Sequence, residues 1–213
     1  MQAVFMDNWI KVSGDVLHGP EYFPPLEPVG AGKAHAFSSS PSGGSESMRL
    51  MYLLAITAAS HSIHLSTPYF IPDRLTIKAI TDAARRGVTV QIITVGSHAD
   101  SETVKRASRA RWGPLLEAGV EIYEYQPTMY HCKAMIVDGL WVTVGSTNFD
   151  PPSFNLNDEA NVSYYDADFA KRQIEIFQQD LSHSRQVTFQ EWNDRPLAEK
   201  FWEHAASLLG SQL

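Results

Sequence analysis

The stretch Tyr130 to Asn148, YHCKAMIVDGLWVTVGSTN, restricts the fold of this chain more than any other. Asp138-Gly139 separates two apolar runs rich in β-branched residues, and Asp-Gly in that setting specifies a two-residue type I′ hairpin turn. With such a turn Val137 pairs with Leu140, Lys133 with Val144 and His131 with Ser146. Side chains alternate along a strand, so His131 and Lys133 share one face and Cys132 points to the other. Asn148, two residues past Ser146, returns to the His131 face if the chain stays extended. An imidazole, an ammonium, a hydroxyl and an amide then converge at one end of an apolar hairpin, a set suited to a phosphoryl group. Both strands are apolar on both faces, which places the hairpin inside a sheet. Polar residues there need partners, because an unpaired buried polar group costs about 1–3 kcal/mol.

The spacing His131-x-Lys133-x4-Asp138-x6-Gly145-Ser146-x-Asn148 resembles the HKD signature of the phospholipase D superfamily. TPYFIPD and LLEAGVEIYEY before it, and SFNLNDEANVSYYD after it, resemble the C-terminal half of bacterial cardiolipin synthases. The resemblance implies an α/β fold, the phospholipase D-like α-β-α sandwich with a mixed central sheet. It also implies a phosphatidyltransferase of phospholipid biosynthesis that works through a phosphohistidine without a cofactor. Its substrate would be a phosphatidylglycerol-like phospholipid, met at the bacterial inner membrane. In that scheme one motif histidine attacks phosphorus and a histidine from a second motif protonates the leaving alkoxide. By the same resemblance His131, Lys133 and Asp138 are the motif's catalytic positions, and Lys133, Ser146 and Asn148 hold the phosphate. Glu159 is the carboxylate that hydrogen-bonds His131 and so fixes its tautomer. Asp138 sits at the turn, where it is expected to fix local structure rather than touch phosphate.

Two features depart from the family pattern. Pro152 stands where an arginine is usual, and proline offers neither its charge nor its bidentate contact. No second H-x-K-x4-D is present: His61 and His64 lack a lysine two residues on, and His18 and His35 lack the pattern. Residues 1–23, with Asp7-x-Trp9 and Tyr22-Phe23, resemble the tail of a preceding HKD domain. Residues 24–34 form a Pro/Gly-rich linker, and 35–213 form the C-terminal catalytic domain. The partner is then an N-terminal HKD half or a second copy of the chain related by a two-fold axis. A single-motif phosphodiesterase active as a homodimer, and a catalytically silent lipid-binding domain, are the competing readings.

Composition narrows the field. A net charge of −7 argues against a nucleic-acid partner, since binding the phosphate backbone calls for a basic surface. Cys132 is the single cysteine, so no intrachain disulfide forms, and with its thiol turned from His131 no zinc set assembles. There is no Gly-rich nucleotide loop. Nor is there an apolar run of ~18–20 residues or a charged-then-apolar leader, so the chain is expected to meet lipid from the surface.

The remaining text alternates strand and helix. Helices are expected from Glu46 to Ala59, Asp73 to Arg86 with Asp73 as N-cap, and Ser101 to Ala118. Another follows a cap at Asp166 or Asp168, and a closing one starts at Pro196. Strands are expected at 34–39, 62–67, 88–95, 120–125 and 160–165. Lys105, Arg106, Arg109 and Arg111 read as a solvated basic face. Pro151-Pro152 is expected to stop regular structure, and Trp202, Leu208 and Leu209 to enter the core.

Overall fold

The computed structural model describes residues 1–27, 30, 32–40 and 45–208. Its strands are β1 (Lys33–Ser39), β2 (Ser62–Ser66), β3 (Thr89–Val95), β4 (Glu121–Tyr125), β5 (Ala134–Val137), β6 (Trp141–Gly145), β7 (Glu159–Tyr165) and β8 (Ser184–Val187). They form one sheet in the order β1-β7-β6-β5-β2-β3-β4-β8. Neighbours are parallel only across β2-β3-β4; every other pair is antiparallel. The DG hairpin, β5-β6, is interior to the sheet as its two-faced apolarity requires.

Helices cover both faces. Met48, Met51, Tyr52 and Ile56 of α2 (Ser45–Ala58) pack on Ile63, Leu65, Met135, Val137 and Trp141, joined by α3 (Arg74–Arg85) and by Leu115 of α5 (Gly113–Glu117). The opposite face lies under α7 (Ala167–Ser182), where Ala170 meets Ile136 and Val142, and Phe177 meets Ile93 and Tyr130. Each large side chain buried in these layers contributes about 1.5–3 kcal/mol. The result is the expected α-β-α sandwich.

Local signals held where their partners are local. Asp73 accepts from Thr76 N at 2.8 Å and caps α3; Asp166 accepts from Phe169 N at 2.8 Å and caps α7. Elsewhere the structure corrects the expectation. The helix expected over Ser101–Ala118 is two, α4 (Glu102–Arg109) and α5, because Pro114 restarts the backbone at an N-terminal position where its missing N–H costs nothing. Pro151-Pro152 does not stop structure; it opens α6 (Pro151–Asn155), capped by Asp150.

The basic run is solvated only in part: Arg106 is exposed, whereas Arg109 and Arg111 are half-buried and bonded within the fold. Arg109 is held between Glu124 at 2.7 Å and Glu203 at 3.3 Å, and Glu203 also accepts from Arg195 at 2.7 Å. Arg111 donates to Pro72 O at 3.3 Å. This network ties α4 and β4 to α9 (Leu197–Leu208), which follows α8 (Phe189–Asp194). Trp202 is 58% exposed rather than core, because α9 turns Glu203 and Ala206 inward. The Leu208 side chain, Leu209, and Pro28, Val29 and Ala31 of the linker lie outside what is described.

α1 (Gln2–Ser13) buries none of its residues. Lys11 links it to the domain, reaching Asp158 at 3.2 Å and Ser40 Oγ at 3.3 Å.

Candidate active site

The topology gathers every expected polar residue except Asp138 at one edge of the sheet. β1, β2, β3, β4 and β6 end there, while β5 and β7 begin there. That edge carries the strand ends Ser39 and Glu159 and the connecting residues 67–72, 96–101, His131 to Lys133, Ser146 to Asp150, and Asp158. The 67–72 loop is stitched to the segment after β6: Ile71 N donates to Phe149 O at 2.8 Å, and Phe149 N to Thr67 Oγ1 at 3.2 Å.

Asp138 lies at the other end. Its carboxylate accepts from Ser60 N (2.9 Å), His61 N (2.7 Å) and Ser62 N (2.9 Å), which holds it below the usual carboxylate range despite some desolvation. The four residues of β5 lie between it and Lys133, five steps or roughly 17 Å of strand. It pins the α2–β2 connection to the hairpin and is not at the reacting end.

The turn has the expected type, with φ of 54° at Asp138 and 62° at Gly139, and Leu140 N donating to Val137 O at 3.1 Å. The register beyond it is one residue from the expected one. Val137 pairs with Trp141, and Gly145 N donates to Lys133 O at 3.2 Å. Leu140 is skipped because its carbonyl accepts from Asp166 N, at the cap of α7, instead of closing the ladder. Ser146 is therefore not the partner of His131. Its N–H goes to Ala160 O, its hydroxyl donates to Glu159, and it accepts from Ala160 N at 3.0 Å.

His131, Cys132 and Lys133 precede β5, and their side chains divide as expected. His131 and Lys133 lie together, with Lys133 Nζ 3.1 Å from His131 Nε2 and 3.1 Å from His131 O. Cys132 belongs to the α7 side, where burial and the charge of Asp180 push its thiol up. Tyr130, just before, donates to Ser66 Oγ at 2.8 Å and Asp180 at 3.1 Å, anchoring the strand entry between β2 and α7. An ammonium only donates, so across this contact His131 Nε2 is the acceptor and its lone pair is directed at Lys133 Nζ.

Glu159 is 8% exposed and accepts from Ser146 Oγ and, at 3.4 Å, from Asn157 Nδ2. The expected bond from His131 is absent, since the shifted register hands Glu159 to Ser146. Burial lowers Lys133, while the charges of Glu159, Asp150 and Asp100 oppose that shift. Asn148 is half-buried: its N–H donates to Ser153 Oγ at 3.2 Å, its amide bonds Asp150, and its Oδ1 is buried without a partner. These residues meet in pairs at this end of the sheet, His131 with Lys133, Ser146 with Glu159 and Asn148 with Asp150, and the charges of Glu159 and Asp150 reach Lys133.

Residues 52–181 match the family described as cardiolipin synthase, PLD-like domain. The chain belongs to this family. Along its full length it is 34% identical to a cardiolipin synthase of a Geobacillus species and 33% identical to cardiolipin synthase 2 of Bacillus anthracis. It spans 43% and 42% of those relatives and aligns with their C-terminal half. Two solved structures share the fold. Nuc of Salmonella typhimurium, a phospholipase D family member, has a TM-score of 0.62 at 22% identity, over 74% of this chain and 99% of its own. A Haemophilus influenzae phosphatidylserine synthase has a TM-score of 0.67 at 16% identity, over 84% and 48%.

Within this PLD-like domain, sequence reasoning passed over Asp150. An Asp directly before Pro-Pro is the signature of an N-cap ahead of a proline-initiated turn. Asp150 is 2% exposed and accepts from Ser153 N at 2.8 Å. Burial pushes its pKa up to about 6, the charge of Glu159 adds to this, and the bonds from Ser153 and Asn148 oppose it. The folded state therefore holds a proton that the unfolded chain gives up, so stability is expected to fall as pH rises from about 4 to about 6 and then level off. Asp150→Asn, which still caps a helix, should flatten that part of the profile in denaturant unfolding measured across this range. An unchanged slope would show that Asp150 titrates normally.

Proposed function

We propose that this chain supplies the C-terminal catalytic half of a cardiolipin-synthase-type phosphatidyltransferase, with residues 1–23 closing a preceding HKD unit, 24–34 linking, and 35–213 forming the catalytic domain. The observation that carries the proposal is the His131 Nε2 lone pair held 3.1 Å from the Lys133 ammonium at the open edge of the sheet. A phosphodiester entering there draws Lys133 onto a non-bridging oxygen and frees Nε2 to attack phosphorus. The P–O bond to the departing glycerol group breaks, a P–N bond to His131 forms, and a second imidazole protonates the leaving alkoxide. An acceptor alcohol, deprotonated by that second imidazole, then attacks the phosphohistidine and restores His131. Lys133, and Asn148 once its amide turns outward, stabilise the charge on the equatorial oxygens, where fixed donors contribute most. Ser146 and Glu159 hold the β6 and β7 ends together beside the histidine.

One imidazole cannot occupy both in-line positions, so a second H-x-K unit completes the site, from the same polypeptide or from another copy. Phospholipid substrate and membrane association follow from the same reading. Among the described residues no helix is long and apolar enough to cross a membrane, so contact with lipid through this chain is interfacial.

The test follows labelled phosphatidylglycerol into cardiolipin while molecular mass is measured. The chain alone, as a monomer, is expected to give no transfer, and adding a separate chain bearing a first HKD unit should restore it. Turnover by the monomer would refute the half-site reading. Turnover that tracks a dimer would favour the homodimeric phosphodiesterase, and none in any arm the silent lipid-binding domain.

A further inference from the structure

Three carboxylates have charges that reach Lys133: Glu159, Asp150 and Asp100. Glu159 and Asp150 are buried and bonded within the fold. Asp100, in the loop after β3, is exposed. Its bonded partner is Tyr69 Oη, 2.6 Å from each carboxylate oxygen. A carboxylate offers about four acceptor positions and one phenol proton fills one, so Asp100 keeps acceptor capacity turned to solvent. Tyr69 is rigidly held. Its ring packs on Ile71, Val104 and Ala107, its carbonyl accepts from Thr67 Oγ1 at 2.9 Å, and the stitching of its loop to Phe149 sets it beside Asn148 to Asp150. The charge of Asp150 reaches it.

The free acceptor positions of Asp100 repel an anionic phosphodiester and suit neutral hydroxyl donors. Water needs no such arrangement, whereas an uncharged polyol does: one hydroxyl donates to Asp100 and a neighbouring one to Tyr69 Oη, which spends its own proton on Asp100. We propose that Tyr69 and Asp100 form the acceptor subsite, binding the vicinal hydroxyls of a glycerol group and thereby favouring alcohol over water as the group that takes the phosphatidyl unit. The inference rests on the transferase reading above.

Two arms test it. In the full chain carrying ring-labelled tyrosine, with the Tyr69 signal assigned by its loss in Tyr69→Phe, glycerol should shift that signal saturably and propan-1-ol should not. Asp100→Asn should weaken the response about tenfold, as loss of a charged hydrogen-bond partner does. In the two-chain enzyme, Asp100→Asn and Tyr69→Phe should lower the ratio of cardiolipin to phosphatidic acid about tenfold, whatever happens to the total rate. Labelled free glycerol should be incorporated into phosphatidylglycerol, and about tenfold less in Asp100→Asn. A Tyr69 signal that ignores glycerol, or a product ratio untouched by both variants, overturns the subsite. If the two-chain enzyme consumes no phosphatidylglycerol at all, the transferase reading fails, and the binding arm alone decides whether the polyol site exists.

Discussion

Exchanging His131 for Ala is expected to lower kcat for phosphatidyl transfer in the complemented enzyme by roughly ten-thousand-fold, the scale on which a nucleophile or an essential proton donor is lost. The two roles give the same answer, since either way one in-line position is empty. His131 is exposed and its side chain contacts Lys133, so its removal leaves no cavity and the melting temperature should stay put. Lys133→Met should cost less, about a hundred- to a thousand-fold in kcat, because it removes one donor to the equatorial oxygens and leaves the nucleophile. KM for phosphatidylglycerol should change little in both if these groups act mainly in the transition state. Residual turnover of a few per cent in His131→Ala would take the reaction away from this histidine.

How far the sequence revealed the site follows from where each partner lies. The turn at Asp138-Gly139 was legible because both positive φ values are local demands of a type I′ turn. The shared side of His131 and Lys133, opposite Cys132, follows from strand alternation alone. The register was not legible. It depends on Leu140 O bonding Asp166 N, a contact set by where α7 starts after another strand, and a shift of one residue reassigns every cross-strand pair. That shift separated Ser146 from His131 and gave it to Glu159. Arg109 misled for the same reason. Its partners lie 15 and 94 residues away, so its neighbours in sequence suggested a solvated face while the fold half-buries it between two buried glutamates. Tyr69 and Asp100, 31 residues apart, meet because parallel β2 and β3 end side by side, which no linear spacing announces.

The same register gives Gly145→Ala the largest expected effect on stability. Gly145 pairs with Asn161, and a Cβ there would stand 2.1 Å from Asn161 Oδ1 and 2.2 Å from Ala160 O. Neither atom can retreat cheaply. Ala160 O is ladder backbone that accepts from Ser146 N at 3.0 Å. Asn161 is fully buried and bonded to Tyr52 Oη at 2.8 Å, Thr143 Oγ1 at 3.3 Å and Thr147 Oγ1 at 2.9 Å. The strands must therefore part, and they part where Ser146 and Glu159 are held. A loss of about 3 kcal/mol or more is expected, the scale of overpacking combined with a broken buried network, which for a chain of this length lowers the melting temperature by roughly 6–12 °C. Ser146→Ala is the control, since it removes the hydroxyl bonded to Glu159 without adding an atom to the ladder; it should lose activity with a much smaller drop in melting temperature. Equal thermal stability of Gly145→Ala and the unmodified chain would mean that β6 and β7 can separate at this point without cost, and the close approach would then not be what requires glycine in the motif.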